Sequence, residues 1–241
     1  MKKKLVKALE FLAVVVALII GVLVGKNISL ESMLKKNEQP VTLSMTEGGI
    51  PEDYIGKPAA EDIPRIEDLG TWEETWTTSY ITVEPKSIVP TGIGVRYPWI
   101  PAYSNSSRRG GPRKKADIIN TKFDIFNEYG EYYLLQLPDD SYILGEIPMD
   151  DARKLKAGKS VTLPVGRKQS ADSRVVANIT NICAEYDVDT EDVFYCIDEK
   201  WSEEHNFMLL LMRFGVGAVV VLVLGTILIT IVDKVFKVKD A

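Results

Sequence analysis

The side chains that most enzymes use for proton transfer are scarce in this sequence. His205 is the only histidine among 241 residues, which excludes a paired-histidine zinc motif, and its position beside the apolar stretch that begins at Phe207 argues against a His-based catalytic triad. It also lacks the Gly-x-Ser-x-Gly motif of the α/β-hydrolases. With 34 Asp and Glu residues, a site built on paired carboxylates remains open. No spacing marks any of them, so we predict no catalytic residues, no cofactor and no metal site.

A basic cluster in the middle of the sequence could meet negative charge. Five cations fall within residues 108–115, downstream of aromatic side chains at Tyr97, Trp99 and Tyr103. Such a cluster can bind phosphate on lipids or on wall polymers. The alternative is an exposed flexible loop. The five cations are Arg108, Arg109, Arg113, Lys114 and Lys115.

Two long apolar blocks, one near each end of the sequence, set the arrangement of the segment between them. Residues 11–24 contain no charged or polar side chain, and residues 214–232 contain no charge. A helix needs about 20 apolar residues to cross a bilayer. We therefore predict transmembrane helices over residues 5–25 and 207–232, with a domain of residues 26–206 between them.

The charges beside these blocks predict their orientation. Lysines precede the first block at Lys2, Lys3, Lys4 and Lys7, and others follow the second within residues 233–241. The positive-inside rule then places residues 1–4 and 233–241 in the cytoplasm and predicts a multi-pass protein of the cell membrane. A cleaved signal peptide is the alternative for the first block.

The segment between the blocks is acidic and contains both cysteines. Residues 26–206 carry a net charge of about −10, which argues against nucleic acid as a partner. Outside the cytoplasm disulfides persist, so Cys183 and Cys196 either form one or remain as two buried thiols.

Small residues recur every four positions along the first block. This spacing forms a shallow groove into which another helix can pack closely. The second block has glycines that could face the groove, within one chain or between two copies, and another membrane protein could also fill it. The residues concerned are Ala13, Ala17, Gly21 and Gly25 in the first block, and Gly217 and Gly225 in the second.

Period-2 and turn patterns predict the strands of the intervening domain. Residues 131–137 and 142–147 flank Pro138-Asp139-Asp140-Ser141 and predict a hairpin. Further strands are predicted over residues 41–46, 72–84 and 160–165. The Pro- and Gly-rich stretches 48–70 and 85–112 are typical of long loops.

Helical spacing appears mainly in the last third of the domain. Apolar residues from Val175 to Tyr186 recur on one helical face. Residues 150–156 predict a short helix, and Thr190 is a candidate N-cap for another that continues toward Trp201. Together these patterns predict an α+β domain outside the cytoplasm, flanked by two transmembrane helices.

The function that fits these features best is a non-catalytic, membrane-anchored module of the cell envelope for binding or assembly, or an accessory subunit of a larger membrane complex. An envelope enzyme with a carboxylate-based site is the alternative. The arrangement of spans resembles that of the polysaccharide chain-length regulators, which implies a role in surface-polymer assembly. That family carries a proline-rich segment just before its second span, whereas the last proline here is Pro164.

Overall fold

The structure is a computed structural model that describes residues 2–28, 30–35, 54–58, 63–77, 79–96, 117–120 and 130–237. The chain divides into two compact units. The first unit joins residues 1–34 to residues 207–241, and the second comprises residues 35–206. Two long apolar helices, one near each end of the sequence, thus flank a mixed α+β domain, and the predicted order of elements is confirmed at this level.

The first unit is built from helices. Helix α1 spans Lys2–Asn27 and the short helix α2 spans Leu30–Leu34. Helix α6, Glu199–Lys237, begins in the second unit and supplies the remainder of the first. Helix α1 ends where the Asn27 side chain donates to the Leu23 carbonyl, because this bond satisfies one of the carbonyls that the last turn leaves free.

Within its described residues, the second unit is an eight-stranded mixed sheet with three helices that lie wholly inside the unit. The helices are α3 Leu69–Glu74, α4 Met149–Lys156 and α5 Ser173–Glu185. The strands are β1 Arg65–Ile66, β2 Tyr80–Val83, β3 Ser87–Arg96, β4 Asp117–Asn120, β5 Gly130–Gln136, β6 Tyr142–Pro148, β7 Gly166–Ser170 and β8 Asp192–Tyr195. Their order is β1-β2-β7-β8-β6-β5-β3-β4. The β1–β2 and β6–β8 pairs are parallel, and the others are antiparallel.

Both faces of the central strands are buried. Successive side chains of a strand point to opposite faces, so Tyr133 and Leu135 of β5 join a core that includes Phe194. Tyr132 and Leu134 join a second core beneath α5. The predicted hairpin and the predicted helix over residues 175–186 are confirmed as β5–β6 and α5.

The prediction of a strand over residues 72–84 is wrong in its first half. Trp72 lies in α3, because the Asp68 carboxylate accepts a hydrogen bond from the Thr71 backbone N–H and caps the helix. The long loop predicted over residues 85–112 is wrong at its beginning, where β3 occupies Ser87–Arg96, and residues 97–112 lie outside the described residues. Pro90 is accommodated at a bulge, where the Thr91 hydroxyl donates to the Tyr132 carbonyl at 2.7 Å.

Two further predictions fail near the end of this unit. Residues 160–165 form no strand, and the strand begins at Gly166 instead. Residues 192–195 form β8 rather than the predicted helix. The prediction failed because a short apolar run that is buried on both faces lacks the alternation that would distinguish a strand from a helix. Helix α6 begins later, where the Asp198 carboxylate accepts a hydrogen bond from the Trp201 backbone N–H. The strand predicted over residues 41–46 lies outside the described residues.

Gly56 holds the segment 54–58 against the beginning of α6. Its φ is +81°, and a Cβ built there would lie 2.5 Å from the backbone nitrogen and the Cβ of Asp198. The neighbouring Lys57 places its Nζ 3.3 Å from Asp198 Oδ2. Glycine at position 56 thus allows one carboxylate to cap the helix and pair with Lys57.

We expect Gly56→Ala to destabilise the chain more than Gly158→Ala. Both glycines have a positive φ, +81° and +73°, which costs another residue about 1–2 kcal/mol. A Cβ at Gly158 meets nothing within 4 Å, whereas one at Gly56 collides with Asp198, and such overpacking adds about 1–3 kcal/mol. Chemical unfolding of the full chain in mild detergent measures both losses of free energy. Equal losses would show that Gly56 is not pressed against α6.

Candidate functional site

Helices α1 and α6 approach each other closely at three glycines, Gly21, Gly25 and Gly217. A Cβ built on Gly21 would lie 2.4 Å from Val221 Cγ2 and 2.8 Å from the Gly217 carbonyl oxygen. One built on Gly25 would lie 2.9 Å from the Arg213 carbonyl oxygen. Real Cβ atoms do not approach other atoms this closely, so a larger side chain at either position would force the two backbones apart.

The contacts give the pair an antiparallel register. Gly25 lies opposite Arg213, and Gly21 lies opposite Gly217. Ala17, four residues before Gly21 on α1, lies beside Gly225 of α6. A Cβ built on Gly225 would be 3.9 Å from the Ala17 Cβ, in ordinary van der Waals contact. Along these contacts the residue numbers of α1 decrease as those of α6 increase. The two helices are therefore antiparallel, and we call their line of contact the seam.

All four small residues singled out on α1 are buried along this seam. Ala13, Ala17, Gly21 and Gly25 are each buried, whereas their neighbours on the other faces of the helix are exposed. The structure thus brings the α1 groove against Gly217 and Gly225 of the same chain. Val221 and Arg213 complete the seam, and sequence reasoning missed both, since neither is small and nothing in their spacing distinguishes them.

Burial in this unit is inverted relative to that in a water-soluble fold. Ala17 is 0% exposed, whereas Phe11 is 71% exposed and Leu222 is 69% exposed. Large apolar side chains cover the outside, and the smallest side chains line the inside. Both helices are also long and apolar enough to cross a membrane.

In the sheet unit, the buried carboxylates are engaged within the fold. Glu131 accepts a hydrogen bond from the buried Tyr133 hydroxyl, to which Lys156 Nζ donates at 3.2 Å. Burial, with the nearby negative charge of Glu131, raises the pKa of Tyr133 above its usual range. Asp150 pairs with Arg153 at 3.1 Å. The Lys156 bond to the Tyr133 hydroxyl joins α4 to β5, while the Asp150–Arg153 pair lies within α4.

Lys168 is a buried cation that nothing in the sequence pattern reveals. Its Nζ donates to the Trp72 carbonyl at 3.1 Å and lies 3.3 Å from Asp192 Oδ2. It also lies 4.9 Å from the centre of the Trp72 ring. The ammonium group thus sits at the carboxyl end of α3, where it is favoured by the carbonyl dipoles, and it ties that helix to β7.

The two cysteines lie on opposite faces of the sheet. Cys183 packs beneath α5 with Val193, while Cys196 belongs to the core that contains Phe194. Both are free thiols and both are buried. Burial raises the pKa of the Cys183 thiol to about 11. Of the two alternatives from the sequence, a disulfide or two buried thiols, the structure has two buried thiols. The sheet lies between the two sulfur atoms.

The basic cluster, comprising Arg108, Arg109, Arg113, Lys114 and Lys115, lies outside the described residues. The strands before and after it in the sequence, β3 and β4, are described, and their paired residues nearest the cluster are Arg96 and Asp117. Among the described residues, no group of three or more His, Cys, Asp or Glu side chains is placed to hold a metal ion.

A disulfide test follows from the register of the seam. Cβ atoms about 3.8 Å apart suit a disulfide, and the Cβ positions at Ala17 and Gly225 are 3.9 Å apart. We expect the double variant Ala17→Cys, Gly225→Cys to form an intrachain disulfide in mild detergent. Adding Gly21→Ile should abolish the bond by separating the helices.

The matched control for that test is Val22→Ile. Val22 is one position round the helix and exposed, so this change adds bulk without entering the seam. Its double-cysteine form should still close the disulfide to the same extent as the parent. If Gly21→Ile and Val22→Ile leave equal amounts of disulfide, the seam is not the contact that holds the helices together.

A second prediction concerns the native thiols. Because both cysteines are buried, and because a raised pKa keeps the Cys183 thiol protonated at pH 7, a maleimide should label neither in the folded chain. Both should be labelled after unfolding without any reductant. Labelling that requires a reductant would show that the cysteines are joined in a disulfide.

Comparison with known proteins yields no relative: no protein-family model, no curated protein and no solved structure matches this chain. What the chain does must therefore be argued from its own residues. The strongest observation is the seam between α1 and α6, where small side chains are buried and large apolar side chains are exposed.

Proposed function

We propose that this protein is a membrane-anchored, non-catalytic module in which α1 and α6 cross the bilayer as a close antiparallel pair. The observation that carries the proposal is the inverted burial of the pair. In water, exposing Phe11, Leu222 and their neighbours while burying alanine and glycine would forgo the hydrophobic effect. In a bilayer the lipid chains solvate the large side chains, and helices associate through close packing of small ones.

The lengths of the helices agree with this placement. The apolar part of α1 covers Lys4–Asn27 and that of α6 covers Phe207–Phe236, which are 24 and 30 residues. At 1.5 Å per residue they extend about 36 and 45 Å, enough for a hydrocarbon layer of about 30 Å. Thr226 and Thr230 of α6 donate their hydroxyls to carbonyls four residues earlier, so neither hydroxyl is left unpaired in the lipid.

For orientation we propose both termini in the cytoplasm and residues 26–206 on the other side of the cell membrane. The lysines beside the two spans support this through the positive-inside rule. An antiparallel pair agrees with it, because two spans in one chain return it to the side from which it started. The domain then sits in the cell envelope.

For the role of the outer domain we propose binding or assembly, as an anchored module or an accessory subunit, rather than catalysis. The support is that Glu131, Asp150 and Lys168 are each engaged by partners within the domain. An enzyme with a carboxylate site would need such groups free to face a substrate.

We propose anionic lipid or wall polymer as a contact of the loop between β3 and β4. Its five basic residues, Arg108 to Lys115, support this in an otherwise acidic domain. The strand register pairs Arg96 with Asp117, so the segment that contains these charges begins and ends on neighbouring strands. A regulator of surface-polymer assembly would use the same contact.

Two measurements on the full chain test the membrane proposal. The protein should remain with membranes after alkaline carbonate extraction. A carboxy-terminal reporter that works only in the cytoplasm should be active, and the same reporter inserted in the exposed turn at Asp139 and Asp140 should be silent. Release by carbonate, or an active reporter in the turn with a silent one at the carboxyl end, would contradict the proposal.

A further inference from the structure

One tryptophan of the second unit lies with its side chain at the surface. Trp76 is 80% exposed, whereas the other large apolar side chains whose exposure is described in residues 35–206 are buried or half-buried. Tryptophan is highly buried on average in folded proteins. The domain thus presents one indole ring to its surroundings.

The backbone on both sides of Trp76 is anchored. Before it, Lys168 holds the carboxyl end of α3, because its Nζ donates to the Trp72 carbonyl at 3.1 Å. The Thr75 backbone N–H donates to the same carbonyl at 3.2 Å. After it, the Ser79 backbone N–H donates to the Trp76 carbonyl at 3.0 Å, just before β2 begins. A ligand that binds the ring therefore does not have to order the backbone first, which favours binding.

The polar groups near the ring in the sequence are carboxylates and hydroxyls. Glu73 and Glu74 are exposed, and neither carboxylate is in an ion pair or hydrogen bond within the described part of the chain. No Lys or Arg occurs between Arg65 and Lys86. Cα atoms three positions apart are at most about 11 Å from each other. The exposed indole and two hydrogen-bond acceptors thus lie close together.

The size and charge of this surface favour one class of ligand. A stable protein interface buries about 800 Å² on each partner and has an apolar centre, which one exposed indole does not supply. The charges of Glu73 and Glu74 repel an anionic lipid headgroup. A sugar ring is about as large as an indole. One of its faces carries C–H groups that pack on an aromatic ring, and its hydroxyls donate to carboxylates.

We propose that Trp76, Glu73 and Glu74 form a binding site for an uncharged saccharide. The C–H face of one sugar ring packs on the indole, and the hydroxyls at its edge donate to the two carboxylates. This site rests on the proposed function, because it gives the outer domain of a binding module a ligand among cell-surface polymers. It is separate in the sequence from the basic residues 108–115, which suit anionic groups.

Titration of the full chain in lipid nanodiscs with soluble saccharides tests the proposal. The probes are the tetrasaccharides of N-acetylglucosamine and of glucose, with binding followed by saturation-transfer NMR of the sugar protons. We expect at least one of them to bind and Trp76→Ala to weaken that binding at least tenfold. Trp76→Phe keeps an aromatic face and should weaken it less.

Matched changes of charge give a second readout. Glu73→Gln should weaken binding, whereas Glu185→Gln removes an exposed carboxylate of α5 and should leave it unchanged. A glucuronate-containing tetrasaccharide should bind more weakly than the uncharged probes, because Glu73 and Glu74 repel it. Equal or tighter binding of the glucuronate probe would contradict an uncharged ligand.

Two further outcomes would overturn the proposal: neither uncharged saccharide binds, or Trp76→Ala binds as tightly as the parent. Because Trp76 is exposed, Trp76→Ala should keep the Tm of the parent, so a loss of binding is not a loss of fold. Carbonate extraction and the reporter assay are scored separately on the same variants. Failure of the membrane assignment is therefore distinguishable from failure of the saccharide site.

Discussion

The structure of the first unit depends on the absence of side chains at Gly21, Gly25 and Gly217. Only hydrogen atoms fit between the two backbones, because a Cβ at Gly21 would stand 2.8 Å from the Gly217 carbonyl oxygen. Close approach maximises van der Waals contact, which is the main attraction left when the surroundings are as apolar as the helices. The register of the antiparallel pair follows from this contact.

The second unit is held together by a different means. Its core is conventional, with Tyr133, Leu135 and Phe194 on one face of the sheet and α5 covering the other. Charged groups are nevertheless buried where helices meet the sheet, as Lys168 is beneath α3 and Asp150 is in α4. Each has a polar partner, which is the condition for burying charge without a large penalty. Lys168 in this way fixes where α3 lies on β7.

The sequence predicts those elements whose cause is local. The β5–β6 hairpin follows from its Pro-Asp turn, and α5 follows from one apolar face beginning after Asp172. The sequence does not predict elements whose structure depends on contacts with residues far away in the chain. Pro90 is tolerated within β3 because Thr91 bonds to the neighbouring strand, and residues 192–195 become a strand because β6 and β7 lie on either side. For the seam, the period of small residues on α1 is visible in the sequence. Its facing partners Val221 and Arg213 are not, because they depend on the register between two helices far apart in the chain.

The central claim is that α1 and α6 form a lipid-exposed pair with a seam of small residues, and a spin-label scan in a bilayer tests it most directly. One nitroxide would be placed in turn at each position from residue 11 to residue 24 except Gly21, where any side chain would separate the helices, and its collision rate with oxygen dissolved in the lipid would be measured. We predict low collision rates at Ala13 and Ala17, and high rates at Phe11, Leu18 and Val22. A uniformly high rate would mean that α1 stands alone in the lipid, and uniformly low rates would mean that it is not exposed to lipid; either result would contradict the account.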